Sequence, residues 1–151
     1  MKLPYETVFS RALGKINDLK EMSLDQTDFL EIYTERLHNV IGNPRVRRLF
    51  SSISLDDEIQ EINFELNNSV DEDSDLDFVC RIFVLGIVIE WISPRVDSLE
   101  YTLQFVGGKE EKMLNNQYKL LQARRDSAMK ELSNAIRDYG YLYNSYINGV
   151  S

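Results

Sequence analysis

The segment that most constrains this chain is Phe78 to Ile92, FVCRIFVLGIVIEWI, in which twelve of fifteen residues are apolar. Its two charges, Arg81 and Glu90, are nine residues apart and so fall on roughly opposite sides of a helix. No face is left for water, and a helix of that kind must be covered on every side. At about 1.5 Å per residue the run is about 22 Å long, short of the ~30 Å hydrocarbon core, and it carries charge. The expectation is a central core helix and no membrane span. Its Ile and Val content makes a buried strand the competing reading, but buried strands usually run about 4 to 8 residues, and length favours the helix. Phe83, Ile87 and Trp91 are its expected core residues. Ser93 and Pro94 follow at once and read as a helix stop, with a second short helix from Val96 to Phe105.

A chain of 151 residues is a natural single domain, long enough to bury about two-thirds of its unfolded surface. The net charge of −8 is uneven. Residues 1 to 50 carry 8 basic and 7 acidic side chains, residues 51 to 100 carry 2 and 13, and the remainder 7 and 5. The acidic middle third repels a phosphate backbone, so specific nucleic-acid binding through it is not expected, although it suits the wall of a passage to which DNA must not stick. The N-terminus shows no apolar run followed by a small-residue cleavage site, so no secretory signal is read there. Cys80 is the single cysteine and His38 the single histidine, which leaves no disulfide and no Cys/His metal pattern. Cys80 reads as a small core hydrophobe and His38 as a surface or half-buried side chain.

Along the chain, Val8, Phe9, Ala12, Leu13, Ile16 and Leu19 recur at helical spacing after Pro4, and Phe29, Leu30, Tyr33, Leu37, Val40 and Ile41 do so before a stop at Gly42, Asn43 and Pro44. Ser23, Asp25 or Thr27 caps the second helix. Arg45, Arg47 and Arg48 form a basic cluster that reads as a solvated helix end, with an acidic partner as the sharper alternative. From Ser54 to Leu66 the pattern is mixed. Leu55, Ile59 and Ile62 are helix-spaced, while Ile62, Phe64 and Leu66 alternate as in a strand. A helical turn followed by a short strand is expected, the strand pairing with a neighbouring subunit. Asp71, Glu72, Asp73 and Asp75 then form an acidic loop, a candidate channel-facing surface. As a calcium loop it fails, because Leu76 stands where glycine is required and Ile82 where glutamate is. The loop offsets the dipole of the central helix, with Asp75 or Asp77 as its cap.

Gly107-Gly108 is a tight turn. Beyond it, over the 38 residues from Lys109 to Tyr146, Leu114, Tyr118, Leu121, Arg125, Ala128, Leu132, Ala135, Tyr139, Leu142 and Tyr146 step by four and three in turn, a heptad seam on a stretch of about 57 Å if wholly helical. Leu114, Tyr118, Leu121 and Leu132 are its candidate bundle or subunit-interface residues. Arg125 in the seam calls for a carboxylate or a break in packing. The uncharged end, with Tyr139, Tyr141, Leu142, Tyr143, Tyr146 and Ile147, has the composition of a docking arm over residues 139 to 151; folding back on its own bundle is the competing reading. No grouping of residues forms an active site, and neither an enzyme nor a cofactor is expected. The fold class is mainly α: a helical bundle around the central apolar helix, with one long C-terminal helix and a short strand or hairpin.

Three segments, IVIEWISPRV (Ile87–Val96), FVGGKEEK (Phe105–Lys112) and YLYNSYI (Tyr141–Ile147), resemble the head-to-tail connector, or adaptor, proteins of tailed bacteriophages. The resemblance covers about residues 76 to 147 and centres on Glu90, Trp91 and Pro94. It implies a structural virion protein of the neck, assembled in the host cytoplasm, whose copies form a ring, commonly dodecameric, beneath the portal protein. Such a ring meets a tail or head-closure protein below, and DNA passes through it without specific binding. The C-terminal arm would reach the portal. A soluble helical assembly chaperone or coiled-coil module, absent from the mature particle, is the rival expectation.

Overall fold

A computed structural model describes residues 1–139. The expectations for Tyr141, Leu142, Tyr143, Tyr146 and Ile147 lie outside the described residues. The chain is mainly helical, with one small sheet. In order it forms β1 (Lys2–Pro4), α1 (Tyr5–Ile16), α2 (Leu19–Met22), α3 (Gln26–Ile41), α4 (Pro44–Arg47), β2 (Phe50–Asp56), β3 (Glu61–Leu66), α5 (Glu72–Leu103) and α6 (Gly108–Asp138).

Helix α1 buries Tyr5, Val8, Phe9, Ala12 and Ile16, the stripe that the helical spacing outlines. It ends at Asn17, whose left-handed φ of 50° suits a short polar side chain, and whose N–H bonds the Leu13 carbonyl. Leu19 therefore leaves the stripe: it opens the one-turn α2 and is 84% exposed. The side chain of Asp25 caps α3 by accepting from the Asp28 N–H at 2.8 Å, and Tyr33, Leu37 and Val40 are the buried residues of that helix.

The expected helical turn over residues 54 to 60 is instead strand and turn. β2 and β3 form an antiparallel hairpin with Leu55 opposite Ile62 and Ile53 opposite Phe64, and β1 adds to the other edge of β3. The strand thus pairs within its own chain and needs no neighbouring subunit. The helical spacing of Leu55 and Ile59 misleads because Ile59 is in the turn and 62% exposed. Ile62, Phe64 and Leu66 face the core, as period-two alternation requires.

Helix α5 is the structural centre. α1, α3 and α6 pack against it, and Phe50 of β2 stacks near Phe83 with ring centroids 6.1 Å apart. Phe83, Ile87 and Trp91 are buried. Pro94 does not stop it, and there is no separate helix from Val96 to Phe105: α5 runs 32 residues without interruption. Proline removes one backbone donor, and here side chains add donors to the neighbouring carbonyls. Ser93 Oγ donates to the Ile89 carbonyl at 2.8 Å and the Arg95 guanidinium to that of Trp91 at 3.2 Å. At its other end the cap is Asp71, which accepts from the Ser74 N–H at 2.7 Å; Asp75 and Asp77 lie inside the helix. Gly107 and Gly108, the latter at φ 71°, turn the chain into α6. That helix is 31 residues long, shorter than the 38-residue stretch from Lys109 to Tyr146, and ends at Asp138 because Tyr139 adopts extended backbone, with ψ 131°.

Candidate functional site

The three-dimensional arrangement divides the α5–α6 hairpin into two lengths. Val96 and Ala128 are buried, and between Asp97 and Ser127 no side chain is. This stretch forms an arm of about 10 Å of helix at the end of α5 and about 30 Å at the start of α6. Leu114, Tyr118 and Leu121 are half-buried along the α5–α6 contact and Leu132 is buried, so the heptad seam is matched by the chain's own α5. Arg125 in that seam lies 3.8 Å from Asp97, leaving its Nε buried without a hydrogen bond. The arm's outer surface carries large apolar side chains that no described residue covers: Tyr101, Phe105, Met113 and Leu120 are 57 to 73% exposed. Sequence spacing does not separate Tyr101, Met113 and Leu120 from core positions, because they too lie on helices.

The corner where arm meets body is built on Trp91. Its ring lies against two guanidinium groups, Arg95 at 4.8 Å and Arg124 at 5.0 Å. Arg124 also donates to the carbonyls of Lys15 and Ile16, the free acceptors at the end of α1. Arg95 approaches Asp18 at 3.5 Å, and Glu21 of α2, almost fully buried, pairs with Arg36 at 2.9 Å. Burial, with the charge of Glu21 beside it, pushes the Tyr33 phenol up to about 12. Glu90 approaches the Asn39 amide at 3.4 Å. The residues of the Ile87–Val96 motif are thus occupied in holding α1, α2 and α3 against α5.

At the opposite end of the hairpin, Asp75 is completely buried. Its carboxylate accepts from Ser69 Oγ at 2.5 Å, the Val70 N–H at 3.0 Å and the Tyr139 hydroxyl at 2.5 Å. A buried carboxylate needs hydrogen-bond donors, and these three supply them. The Tyr139 ring stacks on Phe78 with centroids 3.8 Å apart and planes within 5°. Two expectations are corrected here. Asp75 does not belong to a channel-facing surface, since Tyr139 and Ser69 cover it; Asp71, Glu72 and Asp73 remain exposed at the start of α5. Tyr139 is not part of a free docking arm but an anchor within the fold, its phenol pushed up by burial and by the bond to Asp75.

Other chemistry-bearing residues are also used inside the chain. Asp57 in the β2–β3 turn accepts from the Tyr5 hydroxyl at 2.5 Å and lies 2.9 Å from His38 Nε2, tying the hairpin to α1 and α3. The Tyr5 bond, with His38 beside it, holds the Asp57 carboxyl below the usual carboxylate range, while burial pushes the Tyr5 phenol up. The three side chains staple the hairpin to the helices. Burial pushes the Cys80 thiol up, the direction opposite to that of an activated cysteine. Arg45 donates to Ser133 Oγ at 3.1 Å and Arg47 to the Phe50 carbonyl at 3.2 Å, so two of the three clustered arginines serve packing. Among the described residues no cluster of His, Cys, Asp and Glu gathers as a metal site, and no helix is long and apolar enough to cross a membrane. Comparisons with family models, curated proteins and solved structures return no match to this chain.

Proposed function

We propose that the chain is a structural virion protein, a head-to-tail adaptor of a tailed bacteriophage, whose copies form a ring beneath the portal that extends the DNA channel and joins capsid to tail. The observation that carries the reading is the arm from Asp97 to Ser127, without a buried side chain and with aromatic residues exposed near its tip. A helical pair of this length with an uncovered apolar surface suits an assembly subunit. The resemblance of Ile87–Val96, Phe105–Lys112 and Tyr141–Ile147 to neck proteins supports the same reading.

In this reading the helices around α5 form a bundle that acts as scaffold, and the contacts lie at the ends it positions. The uncharged segment after Tyr139 docks on the portal, and a tail or head-closure protein sits below the ring. Exposed Asp71, Glu72 and Asp73 repel DNA within about a Debye length, ~8 Å at physiological salt, so that DNA passes without sticking. The subunit acts without catalysis or cofactor, in the neck of the particle, after assembly in the host cytoplasm.

Electron microscopy of purified particles should place the protein as a ring at the neck, and its absence from virions would sink the reading. Deleting Tyr141–Ser151 is expected to abolish portal docking with helical content nearly unchanged, because the deletion begins beyond the Tyr139 anchor; docking that survives removes the arm hypothesis. Sedimentation with and without portal separates the rival chaperone or coiled-coil reading, which predicts a monomer or dimer indifferent to portal.

A further inference from the structure

We propose that the tip of the arm and the corner where the arm leaves the body are the two halves of one head-to-tail contact between copies of this chain. The proposal deepens the ring reading and rests on it for closure into a ring. The contact itself would be a property of the purified protein.

The projecting half is the pair Tyr101, in the last turn of α5, and Phe105, just past its end, their rings 5.0 Å apart and 65% and 70% exposed. Two adjacent exposed aromatic rings form a knob large enough to dominate a contact. The receiving half is the corner. Arg124 reaches from α6 to the end of α1, and Leu120 lies one turn nearer the tip on the same face of α6. Leu19 follows directly on Asp18, which Arg95 holds from α5. Leu19 and Leu120 therefore border the same corner; they are 84% and 73% exposed, the two most exposed large apolar residues described.

The two halves differ in charge. At the tip exposed Glu100, Glu110 and Glu111 outnumber exposed Lys109 and Lys112, and Glu100 stands beside Tyr101. At the corner Lys20 follows Leu19 and Lys119 precedes Leu120, both lysines exposed. A negative knob and a positive socket attract each other and discourage knob-to-knob pairing. One chain cannot satisfy its own socket, because Leu120 lies about 18 Å of straight helix back from the turn at Gly108. A second copy can, and the contact joins unlike surfaces, so it is heterologous: it closes a ring if the rotation permits and otherwise continues as a filament. A patch of so few residues is small beside the ~800 Å² per partner of a stable interface, so a single contact is weak and closure strengthens it.

The test is analytical ultracentrifugation of the full chain, without portal, over a concentration series. The wild type should show a mass that rises with concentration. The knob variant (Tyr101→Ser with Phe105→Ser) and the socket variant (Leu19→Ser with Leu120→Ser) should each remain monomeric. An equimolar mixture of the two should form a species of twice the monomer mass and nothing larger, since one intact knob meets one intact socket. A wild type whose mass is constant, variants that associate like the wild type, or a mixture that stays monomeric overturns the proposal. Circular dichroism checks that the variants fold. Glu100→Lys and Lys119→Glu provide a second readout: each alone should weaken association and the two together restore it, and failure of the restoration counts against the contact. The outcomes are separable from those of the virion reading. A chain that self-associates through these residues but is absent from particles removes the virion role alone, whereas a neck ring built equally well by the knob variant removes this contact alone.

Discussion

One helix, α5, lives in two environments. From Phe78 to Val96 most of its side chains are buried, with α1, α3 and α6 packed on the helix, and from Asp97 to Leu103 none is buried. Its backbone is the same on both sides, so the difference comes from what lies across from each side chain. Phe83 in the enclosed length has no exposure, and Phe105, just past the end of the arm's first helix, is 70% exposed. In the enclosed length an aromatic residue contributes to stability, and in the arm it is free to contribute to association.

Substitution of these two residues gives the widest contrast. Phe83→Ala should lower unfolding free energy by about 3–5 kcal/mol, and Phe105→Ala should change it by no more than about 0.5 kcal/mol, measured by chemical denaturation. Comparable losses would mean that the arm is as much a part of the folded core as the body. Next in size is Gly86→Ala. A Cβ there would meet both Val40 methyl carbons at 2.6 Å, and a β-branched side chain on a helix has little room to rotate away. A loss of about 1–3 kcal/mol is expected. Val40→Ala in the same chain should recover part of it, and a fully additive double variant would place the strain elsewhere.

Tyr139→Phe keeps the stack on Phe78 but removes one of three donors from buried Asp75, for a loss of about 1–3 kcal/mol. A neutral result would mean that water replaces the hydroxyl and that the anchor rests on stacking. The smallest effect is alkaline. Tyr5, Tyr33 and Tyr139 all have phenols raised by burial, so the neutral forms are favoured by folding. Their contribution is complete below the ordinary phenol value, about 10, and is lost as pH rises through the raised values. An ultraviolet titration should show tyrosines ionising late, and Tyr139→Phe should shorten that late phase. Asp57 and Asp71 act in the opposite sense: both carboxyls are lowered, so their contribution is present above the ordinary carboxylate value and is lost as pH falls through the lowered ones.

The readable parts of the fold were those in which neighbouring residues in sequence are also neighbours in space. The apolar run, the stripes of α1 and α3, the alternation of β3 and the turn at Gly107-Gly108 are all of that kind. Pro94 shows the limit of a local rule. Its missing N–H argues for a stop, yet Ser93 and Arg95 donate to nearby carbonyls and the helix continues. β2 was hidden because Ser51, Ser52 and Ser54 dilute its alternation, and only pairing with β3 reveals it. Asp75 carried no local sign of burial among four acidic neighbours, since the residue that covers it, Tyr139, is 64 positions away.

By itself the sequence determined a mainly helical chain, a central segment that must be enclosed, and a long helix after a glycine turn, because hydrophobic period and backbone preference are local properties. Only the tertiary structure decided which apolar faces find cover. Tyr101 and Leu120 lie on helices as Phe83 and Leu132 do, but no described residue covers them. Burial depends on the arrival of a distant element, and that is a property of the assembled fold.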